Sequence, residues 1–306
     1  MSRMDALTLR QLRALRSVVS RGTLTAAAHE LGLSPPAVHG QIRNLEDLMG
    51  GALLQKGEHG TFVPTAEGQA VLDAEMQISV ALENCARRVS ALQNGQAGSV
   101  VLGVVSTGKY FAPGLVALLG QALPDIEVTL RIGNRDSIIA ALNARSLDLA
   151  IMGRPPRNPP VHAEPLGPHP HIIIAAPHHR LAQADPAMPD ELLAETFLAR
   201  EEGSGTRILM TRFLDRIGDG QPWRMIEMGT NETIKQAVIA GLGIALISQH
   251  TVTEELRWGS LISVQAIGLP IQRSWYMLRR DDAQITPAVS RIHDYILSLK
   301  GSFLPN

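Results

Sequence analysis

The stretch TLTAAAHELGLSPPAVHGQIRNLE, residues 23–46, predicts two short helices around a tight turn. Apolar residues recur at three- and four-residue steps, so that one face of each helix can pack against the other. Gly32 ends the first helix, because the residue past a helix end often needs a positive φ angle. Ser34 caps the second helix, and the two prolines after it have no N–H group to leave unpaired. This is the pattern of a helix-turn-helix that reads DNA.

The second of these helices is the predicted recognition helix. A helix fits the major groove of DNA, which is about 12 Å wide, and its first turns reach the base edges there. Residues 50–64 are rich in Gly and Thr with short apolar runs, which predicts a small β wing. An ordinary helical hairpin is the alternative for this segment alone. The residues that we expect to contact DNA are Ser34, Pro36, His39, Gln41, Arg43 and, in the wing, Lys56.

Composition and charge narrow the class of protein. The chain has 306 residues, 45% of them hydrophobic, which is ample for two domains. The apolar stretches are too short and too rich in Gly to span a membrane, and the amino terminus lacks a signal sequence, so we expect a cytoplasmic protein. Residues 1–65 hold seven Arg or Lys against five Asp or Glu. This excess is modest, so DNA affinity should depend on two copies binding two half-sites.

Residues 66–94 predict one long helix. Its apolar residues, among them Val71, Ile78, Leu82 and Val89, form a continuous stripe, which requires a partner helix. Cys85 lies on the same stripe and is the single cysteine, so it cannot form an internal disulfide, and we predict a packing role for it.

A second domain begins at residue 95, after which β-rich runs alternate with helical ones. This alternation predicts an α/β fold with mostly parallel sheets. We expect strands at 100–105, 127–132, 147–152, 172–176, 196–199, 244–247 and 275–278.

Polar residues follow the ends of these predicted strands. In open α/β sheets, ligands bind beyond the carboxyl ends of strands, close to helix amino termini with free N–H groups. The guanidinium groups of arginines at these positions can form paired hydrogen bonds with phosphate or carboxylate, so we expect the ligand to be a small anion. The predicted effector-binding residues are Ser106, Thr107, Lys109, Asn134, Arg135, Gly153, Arg154, Glu202, Gly203, Thr206, Arg207, Asn231 and Thr233.

Catalysis receives little support from the sequence. A nucleotide-binding loop closed by Lys and Ser or Thr is absent, and Asp148 and Glu202 would form an acid–base pair only if the fold brought them together. We therefore predict a protein that is not an enzyme, with no metal and no cofactor. Five histidines lie among prolines without zinc spacing, so we expect them to be solvated: His162, His169, His171, His178 and His179.

The sequence resembles the LysR-type transcriptional regulators over its whole length. Residues 26–46 look like the helix-turn-helix of that family. Four segments resemble its CbbR branch, the regulators of Calvin-cycle carbon-fixation operons: STGKYFAP (106–113), GNR (133–135), DLAIMGRPP (148–156) and REEGSGTR (200–207). The chain departs from its relatives at Pro35, where they commonly carry Gln, and at His39 and Gly40, where they carry Ser-Arg or similar. Base preference is therefore not carried over.

The resemblance implies a three-part architecture. A winged helix-turn-helix would occupy residues 1–65, a linker helix residues 66–94, and a two-lobed effector domain like that of periplasmic binding proteins residues 95–306. The chain would cross between lobes near Pro165 and Pro270. Lobe I would then hold about 95–164 and 270–306, and lobe II about 165–269.

The resemblance also implies partners. These are double-stranded promoter DNA, a second copy paired through the linker helix, a homotetramer, and RNA polymerase as a further candidate. The implied co-inducer is a small anionic metabolite such as ribulose 1,5-bisphosphate, another phosphorylated metabolite or NADPH. Two alternatives stay open: a regulator of another pathway with a carboxylate ligand, and a solute-binding or enzymatic domain whose amino-terminal helices only mediate assembly.

Overall fold

The computed structural model describes residues 6–57, 60–93, 97–184, 186–283 and 285–305. The chain divides into two compact units, Met1–Ala86 and Arg87–Asn306. Within the described ranges, no helix is both long enough and apolar enough to cross a membrane.

The first unit is a winged helix-turn-helix. Buried Leu15, Val18, Ala27, Val38 and Leu45 form its core. Strands β1 and β2 pair antiparallel as the wing. The unit boundary at residue 86 falls within the last helix. Its elements are α1 (Leu9–Arg21), α2 (Leu24–Leu31), α3 (Pro35–Met49), β1 (Leu54–Lys56), β2 (Phe62–Pro64) and α4 (Ala66–Gln93).

Local signals define the ends of α2 and α3, and those at Gly32, Ser34 and the two prolines confirm the prediction. The Thr23 side chain caps α2, and Gly32 ends it with a φ angle of 64°. The Ser34 hydroxyl accepts a hydrogen bond from the Ala37 N–H at 3.4 Å and so caps α3. Pro35 and Pro36 occupy the first two positions of that helix.

A five-stranded sheet forms one lobe of the second unit. Its strand order is β4-β3-β5-β12-β6. Strand β3 runs parallel to β4 and β5, whereas β12 runs antiparallel to β5 and β6. The strands are β3 (Gly98–Val105), β4 (Ile126–Gly133), β5 (Leu149–Met152), β6 (Val161–Pro168) and β12 (Ser274–Arg280), with helices α5 (Ala112–Ala122), α6 (Arg135–Asn143) and α11 (Pro287–Ser298).

The other lobe contains two smaller sheets. Strand β7 lies between β10 and β11 and is antiparallel to both, while β8 and β9 pair in parallel. The strands are β7 (His171–Ala175), β8 (Thr196–Ala199), β9 (Arg224–Glu227), β10 (Ala245–Ser248) and β11 (Ile262–Val264). The helices are α7 (Pro189–Leu193), α8 (Gly205–Gly218), α9 (Asn231–Ile239) and α10 (Thr253–Arg257).

The prediction of mostly parallel sheets is wrong for this unit. Among its described residues, three strand ladders are parallel and four are antiparallel. The prediction also omits β6, β9 and β11. Strand β6 contains Pro165 and Pro168, which are tolerated because β6 is at the edge of its sheet. Every residue of β9 is exposed, so this strand lacks an alternating pattern.

The chain passes twice between the lobes. The crossing expected near Pro165 falls inside β6, and the chain leaves the five-stranded sheet only after Pro168. It returns immediately before β12, close to the expected Pro270. The two passages run side by side, since the His169 N–H donates to the Arg273 carbonyl at 2.7 Å. Residues 94–96, at the start of the expected Gly-rich link, lie outside the described residues.

Candidate nucleic-acid interface and effector cleft

Helix α3 exposes most of the residues expected to contact DNA. Val38, Ile42 and Leu45 are buried against the rest of the first unit. Because the helix repeats every 3.6 residues, side chains about half a turn away from these three lie on the opposite face of the helix, which is exposed. Ser34, Pro36, His39 and Arg43 are exposed, and Gln41 is half-buried on the flank of the helix.

Two further residues belong to this surface. Lys56, at the end of β1, is exposed as expected for a backbone contact from the wing. Asn44 is also exposed, beside Arg43, and was not among the predicted contacts.

A cleft of about 470 Å³ lies in the second unit, lined by residues from both lobes. Its walls come from the carboxyl ends of β3 and β5 and from the amino termini of α6 and α8. This is the place that the fold class provides for ligands. Six of the predicted effector residues line it: Ser106, Thr107, Arg135, Gly153, Arg154 and Thr206.

Arginine dominates the chemistry of the cleft. Besides Arg135 and Arg154, three arginines that the sequence analysis missed line it, namely Arg157, Arg212 and Arg273. Among the described residues that line the cleft, none is Asp or Glu. Burial lowers the pKa of the Arg135 guanidinium, and the positive charges of Arg154 and Arg212 lower it further against the effect of Asp136. The positive charge of the cleft therefore favours an anionic ligand.

Helix α8 adds a second source of positive potential. Ser204, Gly205 and Thr206 line the cleft at its amino terminus. The first N–H groups of a helix have no partner within the helix and carry a partial positive charge, so they favour anions. Of the four effector residues predicted in the REEGSGTR segment, only Thr206 lines the cleft.

Seven predicted effector residues do not line the cleft. Arg207 follows Thr206 and is therefore rotated by about 100° around α8; its guanidinium pairs with Glu227. Asn134 caps α6 through the Ser137 N–H at 2.9 Å. The Gly203 carbonyl accepts from the Asp136 N–H at 3.3 Å. Glu202 and Thr233 are exposed. Asn231 accepts a hydrogen bond from Arg200 of its own lobe, and Lys109 takes part in contacts between the lobes.

We call these contacts the lobe bridge. It consists of Ser106, Lys109 and Tyr110 on the five-stranded lobe and Arg200 and Glu232 on the other. Arg200 donates to the Ser106 hydroxyl oxygen at 3.0 Å. Glu232 accepts from the Lys109 ammonium and from the Tyr110 hydroxyl, both at 2.6 Å. Burial raises the pKa of Glu232, but these hydrogen bonds outweigh it and bring the pKa to about 2. Glu232 is thus ionised at neutral pH.

Two histidines that we expected to be solvated are buried at the lobe passages. His169 and His171 are 3% and 4% exposed. The His169 ring stacks on Trp275 with 3.7 Å between centroids, and its Nε2 lies 3.0 Å from the Ser248 hydroxyl. Burial lowers the pKa of His169 well below 6.5 and that of His171 to about 4. The prediction was wrong because the pairing of the passages, which buries both rings, joins distant segments.

These histidines do not form a metal centre. Within the described part of the chain, no group of three His, Cys, Asp or Glu side chains is arranged to hold a metal ion. His169 and His171 instead form part of the cleft wall as neutral rings.

Two family models match the chain. The model described as a bacterial regulatory helix-turn-helix protein of the lysR family matches residues 9–69. The model described as the LysR substrate binding domain matches residues 93–300.

Two relatives and one solved structure resemble the chain. The HTH-type transcriptional regulator CbbR of Cereibacter sphaeroides is 53% identical over 100% of this chain and 99% of the relative. The RuBisCO operon transcriptional regulator of Allochromatium vinosum is 38% identical over 95% of this chain and 96% of the relative. The regulatory domain of CcmR from Synechocystis PCC6803, solved in complex with 2-PG, is 32% identical with a TM-score of 0.63. That match covers 66% of this chain and 97% of the domain.

Proposed function

The chain belongs to the LysR family of bacterial transcriptional regulators, and from this premise we propose that it controls a carbon-fixation operon of the Calvin cycle in response to a small anionic metabolite. The relative named as a RuBisCO operon regulator, similar along almost the whole chain, supports the choice of operon. In this proposal α3 enters the major groove of promoter DNA and Lys56 contacts its backbone.

The arginine-lined cleft is the observation that carries the choice of ligand. Five arginines line a cavity of about 470 Å³. A single carboxylate would neutralise only one of these charges, whereas a phosphorylated sugar brings several negative charges and many acceptor oxygens. We therefore favour a phosphorylated metabolite such as ribulose 1,5-bisphosphate, which the cleft binds without converting it. The 2-PG complex of the related CcmR domain supports a small ligand in this kind of domain.

Assembly and location complete the proposal. The stripe of Leu82, Cys85 and Val89 is exposed along α4 within one chain, at the spacing of a helix that packs against a partner. We propose that α4 pairs two copies in the cytoplasm and that two such dimers form a tetramer on DNA. A bound anion would favour one lobe arrangement and thereby bias the spacing of the recognition helices.

Fluorescence anisotropy on labelled DNA from upstream of its own gene tests this function. The full-length protein is titrated at two salt concentrations, with and without ribulose 1,5-bisphosphate, and a scrambled duplex serves as the control. We expect selective, salt-sensitive binding that changes with the bisphosphate. Selective binding that ignores the bisphosphate but responds to a carboxylate would favour another pathway. Absence of selective binding would favour a solute-binding or enzymatic domain.

A further inference from the structure

Arg200 is a buried cation that lies next to the cleft but does not line it. It is 4% exposed and follows β8 in the lobe opposite Ser106. Its guanidinium contacts Glu201 through Nε at 2.7 Å and through Nη2 at 2.8 Å. Nη1 donates to the Asn231 side-chain oxygen at 2.7 Å. With the bond to Ser106, four of its five N–H groups are used. Because Arg200 does not line the cleft, its hydrogen bonding can reach a bound anion only through another side chain.

Ser106 is the residue through which Arg200 can act. It lines the cleft, and its oxygen accepts the Arg200 hydrogen bond at 3.0 Å. A hydroxyl has one proton and two acceptor positions. Because the guanidinium occupies the oxygen as a donor, the hydroxyl proton remains available for an acceptor in the cleft. A hydrogen bond from a charged donor also polarises the hydroxyl and strengthens the bond that it donates.

The contact is also a link between lobes. Ser106 follows β3 in the five-stranded lobe, whereas Arg200 and Asn231 belong to the other. Among the residues of the lobe bridge, only Ser106 also lines the cleft. An anion that accepts a hydrogen bond from the Ser106 hydroxyl is thus connected, through this one side chain, to the buried Arg200 of the opposite lobe.

We propose that Arg200 is a positioning residue for the effector, which orients Ser106 as a hydrogen-bond donor to an anionic oxygen and couples that bond to lobe closure. This inference rests on the proposed function of the cleft. It assigns the Ser106 end of the cleft to an acceptor group, such as a phosphate oxygen, and disfavours a group that can only donate.

A double-mutant cycle tests the inference on the full-length protein. Isothermal titration calorimetry measures the affinity for ribulose 1,5-bisphosphate, and for inorganic phosphate as a second probe, in four proteins: the wild type, Ser106→Ala, Arg200→Gln and the double variant. Each single change should weaken binding roughly tenfold or more, the loss expected for a hydrogen bond to a charged group. Since Arg200 acts through Ser106, the double variant should bind no more weakly than the weaker single variant.

A merely structural role of Arg200 would give a different result. Its loss would then weaken binding in the Ser106→Ala background as much as in the wild type, and additive losses would overturn the inference. An unchanged affinity of Arg200→Gln would overturn it as well. Circular dichroism and thermal unfolding check folding; if Arg200→Gln does not fold, the same cycle is run with Arg200→Lys, which keeps the charge but loses the fork.

The inference and the proposed function fail in different ways. If the wild type binds the bisphosphate and Arg154→Ala abolishes this binding, an additive cycle contradicts only the role of Arg200. If the wild type binds neither probe, the proposed anion cleft fails, and this inference fails with it.

Discussion

At the scale of single residues, two arginines that the sequence assigns to the effector site provide a matched pair of substitutions. Arg154 lines the cleft, whereas Arg207 does not line it and pairs with Glu227. We expect Arg154→Ala to weaken ribulose 1,5-bisphosphate binding at least tenfold, because a charged hydrogen bond to a phosphate is lost. Arg207→Ala removes the same charge and should change the affinity less than twofold. Calorimetry on the two variants makes the comparison, and a larger loss in Arg207→Ala would contradict the assigned cleft wall.

Residue-level prediction from the sequence succeeded where the cause was local. The cap at Ser34 and the glycine end at Gly32 depend on neighbours within a few positions. Whether Arg207 faces the cleft depends on its angular position around α8, which the sequence analysis did not consider for this segment. The burial of His169 and His171 depends on Trp275 and on backbone pairing between segments about a hundred residues apart, which one sequence does not reveal.

At the scale of elements, α3 should determine DNA affinity. Arg43 is exposed on its outer face, so Arg43→Ala should weaken promoter binding about tenfold and reduce the dependence of log affinity on log salt by roughly one unit per site contacted. Arg257→Ala, which removes an exposed charge from α10 of the second unit, is the control and should bind normally. Anisotropy over a salt series measures both. If Arg43→Ala binds DNA with the affinity and the salt dependence of the wild type, α3 is not the element that contacts DNA.

Helix α4 should determine the oligomeric state. Leu82 lies on its exposed apolar stripe, and Leu82→Glu would bury a charge in the proposed dimer interface, which is costly without a partner. Sedimentation velocity should then show dissociation at concentrations where the wild type is a dimer or tetramer. Ser90→Glu adds the same charge at an exposed position about 100° away from that of Val89 and should leave assembly unchanged. Equal effects of both changes would argue against pairing through this stripe.

The elements themselves were predicted unevenly. The helix-turn-helix and the long helix α4 were predicted from apolar periodicity, and the buried strands from short apolar runs, whereas the helices of the second unit were predicted only as helical runs between strands. Strand β6 was missed because it contains prolines, which normally argue against a strand. They are tolerated at the edge of a sheet, and the segment alone does not show that β6 is an edge strand. The cleft arginines Arg212 and Arg273 were missed for a similar reason: one lies two turns into α8 and the other on a lobe passage, so neither follows a predicted strand.

The whole molecule should lose stability in mild acid. The unfolded chain protonates its histidines below about pH 6.5, but burial holds the pKa of His171 at about 4 in the folded state. Between these values the unfolded state binds more protons, so the free energy of unfolding falls as the pH is lowered. His171 alone contributes roughly 3 kcal/mol to this loss, and the buried His169 adds to it.

Urea unfolding followed by tryptophan fluorescence at neutral and mildly acidic pH measures this loss. His171→Gln should flatten the pH dependence. His178→Gln, a change at an exposed histidine, should leave it as in the wild type. A pH slope that is the same in all three proteins would show that the buried ring does not control it.

The central claim is that an anion in the cleft and DNA on α3 affect one another, and reciprocity tests it most directly. By linkage, if ribulose 1,5-bisphosphate changes the affinity for promoter DNA by some factor, DNA must change the affinity for the bisphosphate by the same factor. The measurement is calorimetric titration of the full-length protein with ribulose 1,5-bisphosphate, in the presence and absence of saturating promoter duplex. We expect two different affinities whose ratio equals the shift in DNA affinity seen by anisotropy. Equal affinities with and without DNA would contradict the central claim.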